Sequence, residues 1–244
     1  MQNNNSVYLS MIIPAFNEEF RLPSTLDSIF EYLDKQDYTY EIIVVDDGSI
    51  DKTASLVEQN PNYPEKIKLI KHSTNHGKGY AVRKGVESAI GNFIIFNDAD
   101  GATPVEEIEK LQQAINNGAD IAIASRALRE STVEDLWYRK IMGIMFNKLI
   151  KVIILRGIQD TQCGFKLFKA DCAKKIFSKL ILVGFSFDVE VLFLAKKMGY
   201  KVTEVPVCWK AIPGTKINPF LDSPVMFLGV VKIKLMDLLG KYKI

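Results

Sequence analysis

The 244-residue chain is 48% apolar and 25% charged, enough to bury a core and within the length of one α/β domain, so a single domain over residues 1–244 is expected. Its three cysteines, Cys163, Cys172 and Cys208, are scattered without the paired spacing of a zinc site or disulfide framework, which fits packing roles in a reducing compartment. With only His72 and His76, a histidine-rich metal centre or a Ser-His-Asp hydrolase is disfavoured, and carboxylates must carry the site chemistry.

The net charge of +2 conceals an uneven distribution. Residues 1–125 carry 10 basic and 19 acidic groups, residues 126–179 carry 12 and 5, and residues 180–244 carry 9 and 5. An acidic half followed by a basic half suits a site that holds a cation on one side and faces anions, or an anionic membrane, on the other. No basic-aromatic signature accompanies the charge, so no nucleic-acid partner is expected. Residues 1–6 are polar and lack the apolar core of a signal peptide. The apolar stretches 141–155 and 225–239 are interrupted by Asn147, Lys148 and Lys151 and by Lys232, Lys234 and Asp237. Neither reads as a membrane-spanning helix, which needs about 20 predominantly apolar residues, so a cytoplasmic location is expected.

In chain order, apolar runs at 7–13, 40–45, 67–70, 92–96 and 120–124 predict five strands with helical patterns between them. Pro23 marks the first turn of the first helix. Ser49 and Asp51 precede a helix over 53–59 as caps, and Thr103-Pro104 followed by Glu106 and Glu107 starts another. Gly91 reads as a helix stop before the fourth strand. The alternation predicts an α/β fold with a mostly parallel, doubly wound sheet and helices on both faces. Farther on, 136–155 and 224–242 read as amphipathic helices in which lysines flank a broad apolar surface. Such surfaces suit a membrane interface, or pack on the sheet or a second subunit, which leaves a homo-oligomer open.

Ligands of such sheets bind beyond the carboxyl ends of the strands, where the polar clusters fall. If Asn97 to Asp100 continues the fourth strand, Asp98 and Asp100 share a face and Ala99 points away. Two carboxylates so placed suit a hard divalent cation, Mg²⁺ or Mn²⁺, with positions open for a diphosphate. Asp46-Asp47-Gly48-Ser49 puts further carboxylates at a strand end, where they can accept hydrogen bonds from a base or ribose. Asn75-His76-Gly77-Lys78-Gly79 offers close backbone approach and a cation for a phosphate.

Four motifs in order, Pro14-Ala15-Phe16-Asn17-Glu18-Glu19, the run from Asp46 to Thr53, Gly77-Lys78-Gly79 and Asp98-Ala99-Asp100-Gly101-Ala102-Thr103, together resemble the family 2 glycosyltransferases with the Rossmann-like GT-A fold. The stretch Asp160-Thr161-Gln162-Cys163-Gly164-Phe165-Lys166-Leu167-Phe168, with Phe187-Asp188-Val189-Glu190, is most similar to the dolichyl-phosphate β-glucosyltransferase subgroup. The resemblance implies inverting transfer of a hexose, glucose favoured, from a UDP-sugar to a polyprenyl phosphate at the cytoplasmic face of a membrane. It implies a donor half at 1–125, with Pro14, Ala15, Phe16, Glu18, Asp46 and Asp47 around the nucleoside. Lys78, Asp98 and Ala99 would lie by the ribose and diphosphate, and Asp100, with Asp98, would hold the metal. In an acceptor half at 126–244, Arg126, Arg139 and Gln162 would meet the acceptor phosphate, and Asp160 would orient cationic groups or bind metal.

Two departures bear on this reading. Many relatives carry membrane anchors; none is expected here, so a lipid acceptor is expected to be reached by peripheral docking. Ala102 stands where some mannosyltransferases of the family carry glutamine, which weakens mannose as the sugar. A phosphate monoester, with a second pKa of about 6, is already an anionic nucleophile near neutral pH. A hydroxyl acceptor on a polysaccharide, protein or diacylglycerol would instead require a base, with Asp160 or Asp188 as candidates. A non-catalytic sugar-nucleotide-binding subunit on the same fold is the remaining alternative.

Overall fold

The computed structural model describes residues 7–134, 154, 155, 157–214 and 219–243. Arg139, Lys148, Lys151 and nearly all of the predicted helix at 136–155 lie outside them.

Strands β1 (Leu9–Ala15), β2 (Tyr40–Asp46), β3 (Ile67–Lys71), β4 (Phe93–Asn97) and β5 (Ile121–Ser125) fall where the apolar runs predicted them, shifted by up to two residues. Their runs are nearly continuous because strands of a covered parallel sheet bury both faces. In β1, Leu9, Met11 and Ile13 enter one core cluster and Ile12 enters the other. A short β6 (Thr132–Glu134), then β7 (Phe165–Lys169), β8 (Val202–Pro206) and β9 (Cys208–Lys210) follow. The main sheet has the order β3-β2-β1-β4-β7-β5-β8, and β6 pairs with β9 beside it.

Helices cover both faces. Helix α1 (Leu22–Leu33) carries Pro23 in its first turn and buries Leu22, Leu26, Ile29 and Leu33, a stripe at helical spacing. With α2 (Thr53–Glu58) and α4 (Ile108–Asn116) it contributes to the first core cluster. The opposite face is covered by α3 (Lys78–Ser88), α5 (Ala170–Phe177), α6 (Phe187–Lys197) and α7 (Pro219–Leu238).

Register brings the loops together. Ala15 pairs with Asp46, Ile12 with Phe96 and Ser125 with Pro206, all in parallel, so β1, β2, β4 and β5 end at one sheet edge. The sequence did not predict β7, which runs antiparallel to both neighbours. Its first residue, Phe165, pairs with Asn97, so the chain before β7 reaches the same edge from the opposite direction. The lysines explain the omission: Lys166 and Lys169 leave only three apolar residues in the five of β7, although Lys166 is completely buried here.

Two further expectations need correction. Gly91 is not a helix stop, since α3 ends three residues earlier; a Cβ at Gly91 would lie 2.6 Å from the Ser10 main-chain nitrogen, so β1 requires glycine there. The C-terminal helix is also not a simple amphipath. Met226, Val230 and Ile233 pack inward, while Val225, Leu228, Leu235 and Leu238 face outward among Lys232 and Lys234, and Asp237 pairs with Lys197 of α6.

Gly85 sets how closely α3 approaches β1, because a Cβ there would lie 2.4 Å from Ile12 Cγ2. Alanine gains up to about 1 kcal/mol of helix propensity, whereas overpacking a filled core costs about 1–3 kcal/mol. Gly85→Ala is therefore expected to lower stability overall, read as a lower denaturant midpoint at unchanged m-value.

Candidate active site

A cavity of about 360 Å³ opens at this sheet edge. Pro14, Ala15, Phe16 and Glu18 line it after β1, Asp47 after β2, Lys78 at the start of α3, and Asp98, Ala99 and Asp100 after β4. Asp46 does not line it. Its buried carboxylate instead accepts the Ser49 N–H (3.0 Å) and turns the loop.

The first two loops are sewn together. Asn17, in the left-handed region at φ 52°, donates its N–H to Ser49 Oγ (2.8 Å), and its side-chain oxygen accepts the Ile50 N–H. The Glu18 N–H donates to Thr53 Oγ1 (2.7 Å). Ser49 thus serves the neighbouring loop rather than capping α2, while Asp51 bridges the N–H groups of Thr53 and Glu19.

Asp47 pins the third loop. Its carboxylate accepts N–H groups from His76 and Gly77 and lies 3.0 Å from His72 Nδ1. Asp47, His72 and His76 stand close enough to share a metal ion, but these hydrogen bonds already engage both Asp47 oxygens. The glycines flanking Lys78 have a cause different from the expected phosphate approach. A Cβ at Gly77 would meet the Val183 carbonyl at 2.6 Å, and one at Gly79 would meet Phe187 at 2.6 Å. The Val183 carbonyl accepts the Gly79 and Tyr80 N–H groups (2.7 and 3.3 Å), so the segment before α6 sits on the N-terminus of α3.

The acidic pair converges by another route than strand alternation. β4 ends at Asn97, and a turn through Ala99 and Asp100 brings both carboxylates to the cavity. Lys78 Nζ lies 2.5 Å from Asp98 Oδ1. Arg21, which the sequence reading did not single out, pairs bidentately with Glu18 (2.6 and 2.7 Å), and its Nη1, 3.8 Å from Asp100, makes no hydrogen bond. The signal for Arg21 was its spacing three residues after Glu18, one helical turn. Burial and the adjacent Asp98 raise the Asp100 pKa, against the Ala102 N–H, Arg21 and Lys78. Burial opposes the Lys78 charge, but Asp98, Asp188 and Asp100 outweigh it and raise its pKa. A Cβ at Gly164 would lie 2.0 Å from Asp98 Oδ2, so a larger residue there would displace that carboxylate.

Farther along the edge, Asp160 grips Arg126, accepting Nε at 2.7 Å, Nη2 at 3.0 Å and the Arg126 N–H at 2.9 Å. The guanidinium also lies over the Trp209 ring at 5.2 Å. Burial alone would raise the Asp160 carboxyl, but Arg126 and the N–H groups of Arg126 and Gln162 bring it down to about 2. Glu204 on β8, also missed from sequence, holds this corner by accepting from Ser125 Oγ and the N–H groups of Gln159 and Asp160. Gln162 Nε2 reaches Met226 Sδ on α7 at 3.9 Å. Beneath the cavity, buried Lys166 donates to Asp188 (2.5 Å) and the Cys163 carbonyl (2.7 Å). Burial pushes the Cys163 thiol up to about 11, away from thiolate chemistry.

Residues 10–177 match the family described as Glycosyl transferase family 2. The chain belongs to that family. The dolichyl-phosphate β-glucosyltransferase of Dictyostelium discoideum is 38% identical, with 100% of this chain and 80% of the relative covered. The human protein of the same name is 37% identical over 97% of this chain and 78% of its own. Glucosyl-3-phosphoglycerate synthase from Mycobacterium tuberculosis, solved with Mn²⁺, UDP-glucose and phosphoglyceric acid, superposes with a TM-score of 0.71 at 17% identity, covering 96% of this chain and 80% of that one. The resemblance read from the four motifs and the GT-A fold expected from it are both borne out.

Removing one partner of a buried ion pair costs about 3–5 kcal/mol, whereas replacing both by apolar residues is often near neutral. Lys166→Met is therefore expected to destabilise by that amount, and Lys166→Met with Asp188→Leu to recover most of it in urea unfolding. The Asp160 pair adds a pH effect. A carboxyl lowered on folding contributes stability that is complete above its unfolded pKa of about 3.9 and is lost as pH falls toward about 2. In Asp160→Asn, the acid limb of the stability curve should be shallower over that window.

Proposed function

We propose that the chain transfers glucose with inversion from UDP-glucose to a polyprenyl phosphate, with residues 1–125 binding the donor and residues 126–244 the acceptor. The observation that carries this reading is the Arg126–Asp160 pair. A carboxyl held near 2 by a bidentate arginine is a poor general base at neutral pH. Asp188, the other candidate base, has its pKa raised by burial, but it does not line the cavity and is already engaged by Lys166. Both disfavour a hydroxyl acceptor and suit a phosphate, which arrives already anionic.

The residues at the donor end fit Mg²⁺ or Mn²⁺. Burial first, and then the neighbouring Asp98 carboxylate, raise the Asp100 pKa, and a divalent cation bound by these two oxygen-donor groups would offset both. Held there, the ion would neutralise the leaving diphosphate. The chain's own groups do the rest. Lys78 and Arg21, whose Nη1 stands by Asp100 without a hydrogen bond, would face the diphosphate, while Pro14, Phe16 and Asp47 would border the nucleoside. Asp160 fixes the Arg126 guanidinium in one orientation so that it holds the acceptor phosphate, as Arg139 and Gln162 are proposed to do beside it. A phosphate oxygen then bonds to the anomeric carbon as that carbon's bond to the diphosphate oxygen breaks, and UDP leaves with the electron pair. The names of the curated relatives, and the UDP-glucose bound to the mycobacterial enzyme, support glucose and a lipid-linked acceptor.

Among the described residues no helix is long and apolar enough to cross a membrane. The outward face of α7, with exposed Leu228, Leu235 and Leu238 among lysines, suits peripheral docking at the cytoplasmic leaflet. The test is transfer of labelled glucose to undecaprenyl phosphate and to hydroxyl acceptors with Mg²⁺ or Mn²⁺. Product with the lipid phosphate alone is expected, and EDTA should abolish it. Product from hydroxyl acceptors alone would refute the proposal. Arg126→Gln should lower kcat/KM for the lipid phosphate by about a hundredfold while leaving UDP-glucose affinity within about twofold.

A further inference from the structure

A second cavity, also about 360 Å³, lies beside the donor cavity and shares Gly184 and Phe185 with it. Ile181, Leu182 and Val183 form one wall and Val225, Met226 and Leu228 of α7 the other. Lys232 is the only charged residue among those that line it. The walls are preformed. Glu190 accepts the Ile181 and Leu182 N–H groups at 2.8 Å each and the Tyr242 hydroxyl at 2.6 Å, and the Val183 carbonyl is bound to the start of α3. Gly229 lets α7 approach this segment, since a Cβ there would lie 2.1 Å from Ser186 Oγ. A groove held open in this way needs little ordering when it is filled.

The groove joins the charged site at two places. Through Gly184 and Phe185 it opens beside Lys78 and Asp98. Through Met226 it touches Gln162, whose N–H is bound to Asp160 and hence to the Arg126 pair. A ligand fitting both parts has an anionic head and an apolar tail. Because the exposed edges Val183, Val225 and Leu228 leave the groove open outward, the tail can be longer than the groove. We infer that this groove holds the isoprene units nearest the phosphate of a polyprenyl phosphate, with the rest of the tail leaving along the outer face of α7. The inference rests on the acceptor class proposed above and adds where that acceptor's specificity resides.

The test uses the full chain with UDP-glucose and two water-soluble acceptors, dimethylallyl phosphate and farnesyl phosphate, without membranes. The added apolar length should favour farnesyl phosphate by roughly thirtyfold in kcat/KM. Val183→Glu and Leu228→Glu place a charge in the groove at partly exposed positions, so folding is expected to survive. Each should raise KM for farnesyl phosphate about tenfold and shrink the chain-length preference, with UDP-glucose affinity by calorimetry unchanged. Ile90→Ser, at an exposed position that lines neither cavity, should leave the preference intact. A wild-type enzyme that glucosylates both phosphates equally, or a preference surviving both groove substitutions, overturns the inference. So does a result in which the groove variants lose only liposome binding or only self-association, which would assign the face to a bilayer or a second copy. Failure to glucosylate any isoprenyl phosphate despite UDP-glucose binding would instead refute the acceptor class, and the groove assignment with it.

Discussion

Carboxylates gathered at one buried sheet edge repel one another, and the edge keeps its shape only where cations stand beside them. Asp98 and Asp100 follow β4 into the same cavity, and burial with mutual repulsion raises the Asp100 pKa. Lys78 answers Asp98, Arg21 stands by Asp100 while clamped to Glu18, and Asp188 ties Lys78 electrostatically to the buried Lys166. The glycines follow from this arrangement. Gly164 lets β7 pass against the Asp98 carboxylate, and Gly77 and Gly79 admit the segment that reaches α6 and Asp188.

The strands of the first half were legible because each is a short apolar run between turn signals, and a parallel sheet covered on both faces leaves no other pattern. β7 was not, since Lys166 looks polar in sequence and becomes a core residue only through Asp188, twenty-two positions later. The same limit applies at the site. Asp98, Asp100 and Lys78 could be chosen by residue type and place, but choosing between Asp46 and Asp47 required knowing which one turns its own loop. The spacing of Arg21 from Glu18 does not by itself distinguish a site cation from an ordinary helix-start ion pair. The role of Glu204 depends on β8 lying beside β5, a pairing that no local pattern encodes.

The two ends of the site differ in how they handle charge. At the donor end the cations are paired with carboxylates that belong to the cavity itself. At the proposed acceptor end the Arg126 guanidinium is fixed by Asp160, and Asp160 is in turn held by its own N–H to Glu204. This rigidity suits a group that must present one face to an incoming phosphate. The apolar groove adjoining both ends extends the same division from charge to shape.

The Val183 carbonyl seated on the first turn of α3 has a consequence for selectivity. A helix start with free amides attracts almost any small anion, but here two of those amides are already used by the protein. What remains at the donor end is a set of side-chain cations that already have partners. A stray inorganic phosphate must displace an internal carboxylate to bind and has little to offer in return. A diphosphate that arrives with its own divalent ion satisfies the released carboxylates and the released cations together. The pocket's own ion pairs therefore compete with common cellular anions, and they yield most readily to a ligand that brings both charges at once.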